Sequence, residues 1–287
     1  MKYKEPLYRP PSEAESLIFQ ISYGCPHNTC TFCPMYKTVA YEVRPIDDII
    51  SEIRFFSRKF PLTKRIFLAD GDVMKLPFTM LFEILLEINK NFANLSRISL
   101  YANGSSIMEK NHEQLEILHK LKLHTLYMGL ESGDDNLLRL VNKKETSQVM
   151  IGAVKEAQQV GFRMCVFILL GLGGKMKTKK HIENTAKVLN EMNPSFLAAL
   201  RFIKHPLFKM YNEYLPLSEY ESVFELREII SKLNLTSCLF RADHSSLPFP
   251  VNSRLPSGKN ELISSLTEIL SGTCLDKNGQ GFISHAL

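Results

Sequence analysis

Six short apolar runs, most of them followed by a stretch of helical periodicity, constrain this chain more than any other feature of its sequence. The runs fall at residues 17–23, 65–69, 97–102, 125–130, 164–170 and 196–202. The helical patterns between them fall at 46–56, 77–89, 113–121, 135–141 with 147–160, and 181–192. Strands that are apolar throughout are buried on both faces, and strands separated by helices of this length are joined by crossover connections. The pattern predicts the α/β class with a parallel sheet, built as a partial (β/α)6 barrel, because six units fall short of the eight that close one. From His205 the pattern changes, and Pro206, Pro216, Pro248, Pro250 and Pro256 punctuate helical stretches at 219–233 and 259–270. Residues 1–204 are therefore expected to form the barrel. Residues 205–287 are expected to form a C-terminal extension that packs on the barrel and covers a substrate pocket, not a second domain.

No apolar run approaches the ~18–20 residues that span a bilayer. Residues 1–15 mix charge and proline without the apolar stretch of a signal peptide. The expectation is a cytoplasmic protein with no membrane partner. The formal charge of +5 is interleaved with acids, and the lysines from Lys175 to Lys180 are broken by Met and Thr. That segment reads as a solvated loop, so nucleic acid is not an expected partner.

In a reducing compartment, closely spaced cysteines point to metal binding or catalysis before disulfides. Just past the first run stands Cys25-Pro-His-Asn-Thr-Cys30-Thr-Phe-Cys33. Three thiolates on one loop at the end of a strand can converge on one metal centre, and three ligands leave one iron of a [4Fe-4S] cluster open. Structural zinc takes four protein ligands in paired spacing, and no second pair follows; His27 is the nearest substitute and has no partner at helical spacing. Iron–sulfur is the preferred reading, with a zinc knuckle or packing cysteines as the alternatives. Cys165, Cys238 and Cys274 are scattered and read as small buried hydrophobes.

Ligands of parallel sheets bind outside the carboxyl ends of the strands, and those ends carry the remaining candidates. Run two ends in Asp70-Gly71-Asp72, an acidic turn that suits an ammonium group, although Asp72 could instead cap a helix. Run three ends at Asn103, whose amide can donate and accept, or simply make a turn. Run four ends in Glu131-Ser132-Gly133, and run five in Gly171-Leu-Gly-Gly, where glycine lets a ligand approach the backbone. Run six ends at Arg201, able to meet an anion or a structural carboxylate.

Together these motifs resemble the radical S-adenosylmethionine (SAM) superfamily. Its members carry a cysteine triad, usually spaced three then two, with an aromatic residue before the third cysteine. This chain spaces them four then two, with Phe32 in the aromatic place, and the resemblance runs from residue 17 to about 204. It implies a [4Fe-4S] cluster on Cys25, Cys30 and Cys33, and SAM as second cofactor. It implies that Asp70, Gly71 and Asp72 lie near the methionyl amine, Glu131 and Ser132 at the ribose or methionine end, and Gly171 at the adenine. Asn103 would face the cavity, and Arg201 would meet SAM's carboxylate or a substrate anion.

The implied chemistry is reductive cleavage of SAM to a 5′-deoxyadenosyl radical, with electrons from a reductant such as flavodoxin or ferredoxin. Such a radical must be kept from water, which makes the extension the expected lid. Within it Arg241, Asp243, His244 and Ser245 are, with Asp70, the candidates for substrate contacts; a surface turn is the competing reading. The absence of a second cysteine cluster, a cobalamin domain or an RNA-binding module favours a small-molecule substrate. The compact architecture resembles small stand-alone members of the superfamily, among them a subgroup that splits queuine. That lyase releases 7-aminomethyl-7-deazaguanine by breaking the carbon–nitrogen bond to a cyclopentenediol. Alternatives are another small-molecule mutase or dehydrogenase, a tRNA-modifying enzyme, or an iron–sulfur electron carrier or sensor without SAM chemistry.

Overall fold

The structure, a computed structural model, describes residues 3–204 and 208–281, so His205 and Pro206 at the start of the expected extension lie outside the described residues. Eight strands form one mixed but mostly parallel sheet: β1 (Leu17–Gln20), β2 (Arg65–Ala69), β3 (Arg97–Tyr101), β4 (Leu123–Glu131), β5 (Arg163–Leu170), β6 (Phe196–Arg201), β7 (Cys238–Ala242) and β8 (Val251–Leu255). Their order in the sheet is their order in the chain. β1 to β4 pair in parallel, as do β5 to β7, and β8 runs antiparallel on β7. In β2, Ile66, Phe67, Leu68 and Ala69 are all buried, as strands covered on both faces require.

The first apolar run splits: β1 ends at Gln20, and Ser22–Tyr23 pairs instead with Glu42–Val43 in a small antiparallel ribbon. The helix Ile46–Lys59 buries Ile49, Ile53 and Phe56, one apolar stripe at helical spacing. Asp47 and Asp48 in its first turn, with Arg58 and Lys59 in its last, complement the helix dipole.

Three expectations need correction, the first being that Cys274 is exposed where a buried residue was expected. Lys175 to Lys180 do not form a loop: the helix Gly174–Met192 begins seven residues before the expected start at His181. Lysine is a good helix former, and Lys175, Lys179 and Lys180 lie exposed on the solvent side. The segment after residue 208 also supplies strands, β7 and β8, where only helices were expected. β8 is a polar edge strand, Val-Asn-Ser-Arg-Leu, and carries no apolar run to announce it.

The chain sorts into two compact units. One comprises Met1–Asn28, Cys33–Met128 and Gly152–Met164, and the other Thr29–Phe32, Gly129–Ile151 and Cys165–Leu287. In the first, Phe19 packs edge-on against Phe56 and Phe92. In the second, the helix Glu219–Lys232 buries Val223, Leu226, Ile229 and Ile230. Among the described residues no helix is long and apolar enough to cross a membrane.

Candidate functional site

In the first unit the chain leaves β1 through Gly24, held at φ +76°, and enters the cysteine loop. Gly24 accepts a hydrogen bond from the Gly71 N–H at 3.1 Å, which lays the end of β2 against the start of that loop. The approach is so close that a Cβ on Gly71 would stand 2.5 Å from Cys25 Cβ and 2.9 Å from its Sγ. Gly71 is therefore a packing requirement of Cys25.

The carboxylates on either side of Gly71 both turn inward. Asp70 is fully buried; its oxygens accept from Gln20 Nε2 at 2.9 Å and from the Tyr36 hydroxyl at 3.0 Å. Burial pushes its carboxyl up to about 6, against the pull of those two hydrogen bonds. The Tyr36 phenol is raised as well, by burial first and by Asp70 second. Asp72 makes no side-chain cap on the turn Val73–Lys75 that it precedes. It accepts from the Ser106 hydroxyl at 2.5 Å and from the Asn103 N–H at 3.2 Å, and lies 2.9 Å from His27 Nε2. Asp70, Asp72 and Asn103 thus come together with the cysteine loop, and the two acids brace it.

In the second unit, the segment carrying Cys30 and Phe32 is pinned to the turn after the Glu131 motif. The Thr31 N–H donates to Val141 O at 2.9 Å, and Asn142 Nδ2 to Thr29 O at 3.0 Å. Glu131 adopts φ +61°, uncommon for a residue with a Cβ. The turn folds its carboxylate back over Gly129, where a Cβ would collide with Glu131 Oε1, and toward Lys143 Nζ at 3.7 Å. Burial raises the Glu131 carboxyl, and Lys143 opposes the rise. Ser132 is buried, accepts from the Asp134 N–H at 3.0 Å, and meets His181 Nδ1 at 2.8 Å.

Gly171 sits at φ +79°, with its N–H on Glu225 at 2.5 Å and its carbonyl on the Tyr214 hydroxyl at 2.8 Å. Arg201 is buried, donates to Gln280 O at 2.7 Å and lies 3.7 Å from Glu219, while its Nε and Nη1 have no hydrogen-bond partner. Its backbone N–H donates to Ser246 Oγ at 3.0 Å, and Ser246 also meets His244 Nδ1 at 2.9 Å. Burial lowers the His244 imidazole. Arg241 and Asp243 face one another at 3.8 Å, both substantially exposed, and Ser245 is exposed.

Sequence reasoning missed Tyr36, His181 and Glu225, and placed Ser246 in a polar segment without foreseeing its bond to the Arg201 N–H. Glu225 carried a readable signal: it falls between Ser222 and Ile229 on the apolar stripe of its helix, where an acid is out of place.

Cys25, Cys30 and Cys33 are half-buried thiols. Among the described residues no three ligating side chains gather around one point as a single ion requires. A four-iron cluster asks for something else, since each cysteine thiolate binds a different iron and the sulfurs stand apart. Three thiols within nine residues, with Gly71 kept bare against Cys25, fit that group.

A mostly parallel sheet with a three-thiol loop beyond its first strand defines an enzyme class that carries an iron–sulfur cluster outside its strand ends. The radical SAM superfamily matches residues 19–189, and the chain belongs to it. Enzymes of this superfamily use a [4Fe-4S] cluster and SAM. The chain is 22% identical over 219 residues to the heme chaperone HemW of Bacillus subtilis, covering 72% of this chain and 56% of HemW. It is 23% identical to an uncharacterised protein of Methanocaldococcus jannaschii, covering 94% of this chain and 86% of that one. Among solved structures, coproporphyrinogen III oxidase (HemN) of Escherichia coli superimposes with a TM-score of 0.61 at 22% identity, over 75% of this chain and 51% of HemN. That likeness shows the fold, the expected partial barrel. The chain spans about half the length of HemW and HemN.

Proposed function

We propose that this chain reductively cleaves SAM and turns the resulting radical on a small molecule, and that the specific reaction is the lyase cleavage of queuine. The observation that carries the SAM reading is the fit of Gly71 against Cys25 at the mouth of a three-thiol loop. When bound, the cluster and SAM supply an electron and a 5′-deoxyadenosyl radical that removes a hydrogen atom from substrate.

The chain's own residues bind and orient. Cys25, Cys30 and Cys33 hold the cluster, with Phe32 buried beside them in sequence. The carboxylates of Asp70 and Asp72 are engaged within the protein, so the turn offers a methionyl ammonium its backbone carbonyls and the negative field of the acids behind them. Glu131, held toward Lys143, accepts from ribose hydroxyls, and the Gly171 turn, its N–H and carbonyl already engaged, offers the adenine the face of its backbone. The Nε and Nη1 of Arg201, which have no hydrogen-bond partner, suit a carboxylate.

Residues 205–287 cover the substrate and exclude water. Asp243 takes the amidine-like edge of a deazaguanine, Ser245 the diol, and Arg241 and His244 complete the polar surface. Electrons come from a flavodoxin- or ferredoxin-type donor. The test is anaerobic incubation of the iron-loaded, reduced protein with SAM and queuine. Formation of 5′-deoxyadenosine together with 7-aminomethyl-7-deazaguanine is the expected result. SAM cleavage that queuine neither accelerates nor couples to base release overturns the lyase assignment and leaves the SAM chemistry standing.

A further inference from the structure

Glu225 and His181 are fully buried ionisable groups that neither the cluster nor the motif residues account for. Glu225 stands on the helix Glu219–Lys232 and His181 on the helix Gly174–Met192. One Glu225 oxygen accepts the Gly171 N–H at 2.5 Å and lies 3.8 Å from His181 Nε2; the other accepts the Thr178 hydroxyl at 2.5 Å. His181 Nδ1 meets Ser132 Oγ at 2.8 Å, and its Nε2 has no hydrogen-bond partner. One turn along the same helix, the Thr185 hydroxyl accepts the Gly133 N–H at 2.9 Å. Buried polar groups therefore line the way from the turn after β4, by His181 and Glu225, to the turn after β5, with a 3.8 Å gap between His181 Nε2 and Glu225.

Such a set of groups is an unfavourable way to fill a core. Burial pushes Glu225 up to about 7 and His181 down to about 4, so neither group stabilises the charge of the other, and an apolar pair would pack at less cost. What an apolar pair lacks is an acceptor for Gly171. At φ +79° the two polar backbone groups of this glycine leave the sheet, and Glu225 takes the N–H while the Tyr214 hydroxyl takes the carbonyl. Both side chains come from beyond residue 208.

We infer that Glu225 is a positioning residue for SAM: it fixes the Gly171 turn directly, so that the C-terminal segment completes the cofactor site as well as covering it. The inference rests on the reading that Gly171 borders SAM. The test measures SAM affinity of the iron-loaded protein by calorimetry, with iron per chain and thermal unfolding alongside, for wild type, Glu225→Ala, Glu225→Gln and Glu131→Ala.

Glu225→Ala is expected to weaken SAM binding by about tenfold or more at unchanged iron content, because the buried Gly171 N–H loses its acceptor. Glu225→Gln, whose amide oxygen still accepts from Gly171 while Thr178 turns to accept from its NH₂, recovers most of that loss. A folded, iron-loaded Glu225→Ala with wild-type affinity, beside a weakened Glu131→Ala, overturns the inference and leaves the SAM site intact. A Gln variant as weak as the Ala variant also overturns it. If neither Glu225→Ala nor Glu131→Ala weakens SAM, the inference and the site reading fall together. Should Glu225→Ala not fold, Thr178→Val decides: it removes the other bond that holds Glu225, and unchanged SAM affinity there overturns the inference.

Discussion

Replacing Gly71 by alanine puts a methyl carbon 2.5 Å from Cys25 Cβ and 2.9 Å from Cys25 Sγ. Carbon atoms in contact settle about 3.5–4.0 Å apart, so one side must retreat by roughly an ångström. The strand side is held: β2 is buried in a parallel ladder, and the Gly71 N–H is bonded to Gly24 O at 3.1 Å. Gly24 is closely packed on its other side, where a Cβ would meet Val39 O at 3.0 Å. The displacement falls on Cys25. Overpacking of this kind costs about 1–3 kcal/mol, well inside the stability of a typical domain of about 5–15 kcal/mol, so the chain still folds. What it loses is the placement of one thiolate. The assay is iron and sulfide per chain after anaerobic reconstitution, with circular dichroism to establish folding. Gly71→Ala should keep the wild-type spectrum and fall well short of the about four irons of one cluster. Gly152→Ala is the control: beyond its chain neighbours and the backbone of its own helix, Ser147–Val160, no atom lies within 4 Å of its Cβ position. It should gain up to about 1 kcal/mol in stability and bind iron as wild type does. A folded Gly71→Ala protein with full iron refutes the reasoning.

Other predictions follow from the same geometry. Alanine at Cys25, Cys30 or Cys33 should abolish iron binding, whereas the triple replacement of Cys165, Cys238 and Cys274 should leave about four irons per chain, as metal analysis would record. Stoichiometric zinc uptake under anaerobic iron loading contradicts this. Glu131→Ala should weaken SAM by about tenfold through loss of a charged hydrogen bond, with the cluster intact; unchanged affinity reduces Glu131 to a turn residue. Glu225, raised to about 7 from 4.5, keeps a proton in the folded state that the unfolded chain releases, so its contribution is lost as pH climbs from about 4.5 to 7. His181, lowered to about 4 from 6.5, acts in the opposite sense, adding stability as pH climbs through that lower window. Urea unfolding across pH should show the stability of wild type minus that of Glu225→Gln falling with rising pH, by at most roughly 3 kcal/mol. A constant difference sinks that reading.

The first six strands were legible because each is a compact apolar run between helical patterns, and β2 matches its expected bounds of 65–69. The cysteine loop was legible from spacing alone. β7 and β8 were not, because β8 is a polar edge and β7, although three of its five residues are buried, alternates over too short a span to stand out. Lys175 to Lys180 misled because charge density was read as solvation, when a helix can carry its lysines on one face. Asp70 and Asp72 were legible as candidates, yet their partners were not. Gln20 and Tyr36 lie fifty and thirty-four positions from Asp70, and His27 forty-five from Asp72; only the folded chain brings them together. Glu225, and the partner of Ser246, were hidden for the same reason, since each side chain acts on a backbone N–H at a strand end formed far away in sequence.

The central claim is that the three-thiol loop and the strand ends beyond it make a SAM-cleaving centre. It is tested most directly by reducing the anaerobically reconstituted protein, adding SAM, and measuring 5′-deoxyadenosine and methionine by mass spectrometry, with Cys30→Ala in parallel. The account predicts both products from wild type, in equal amounts, and neither from the variant. Intact SAM after incubation with a fully loaded, reduced cluster contradicts it.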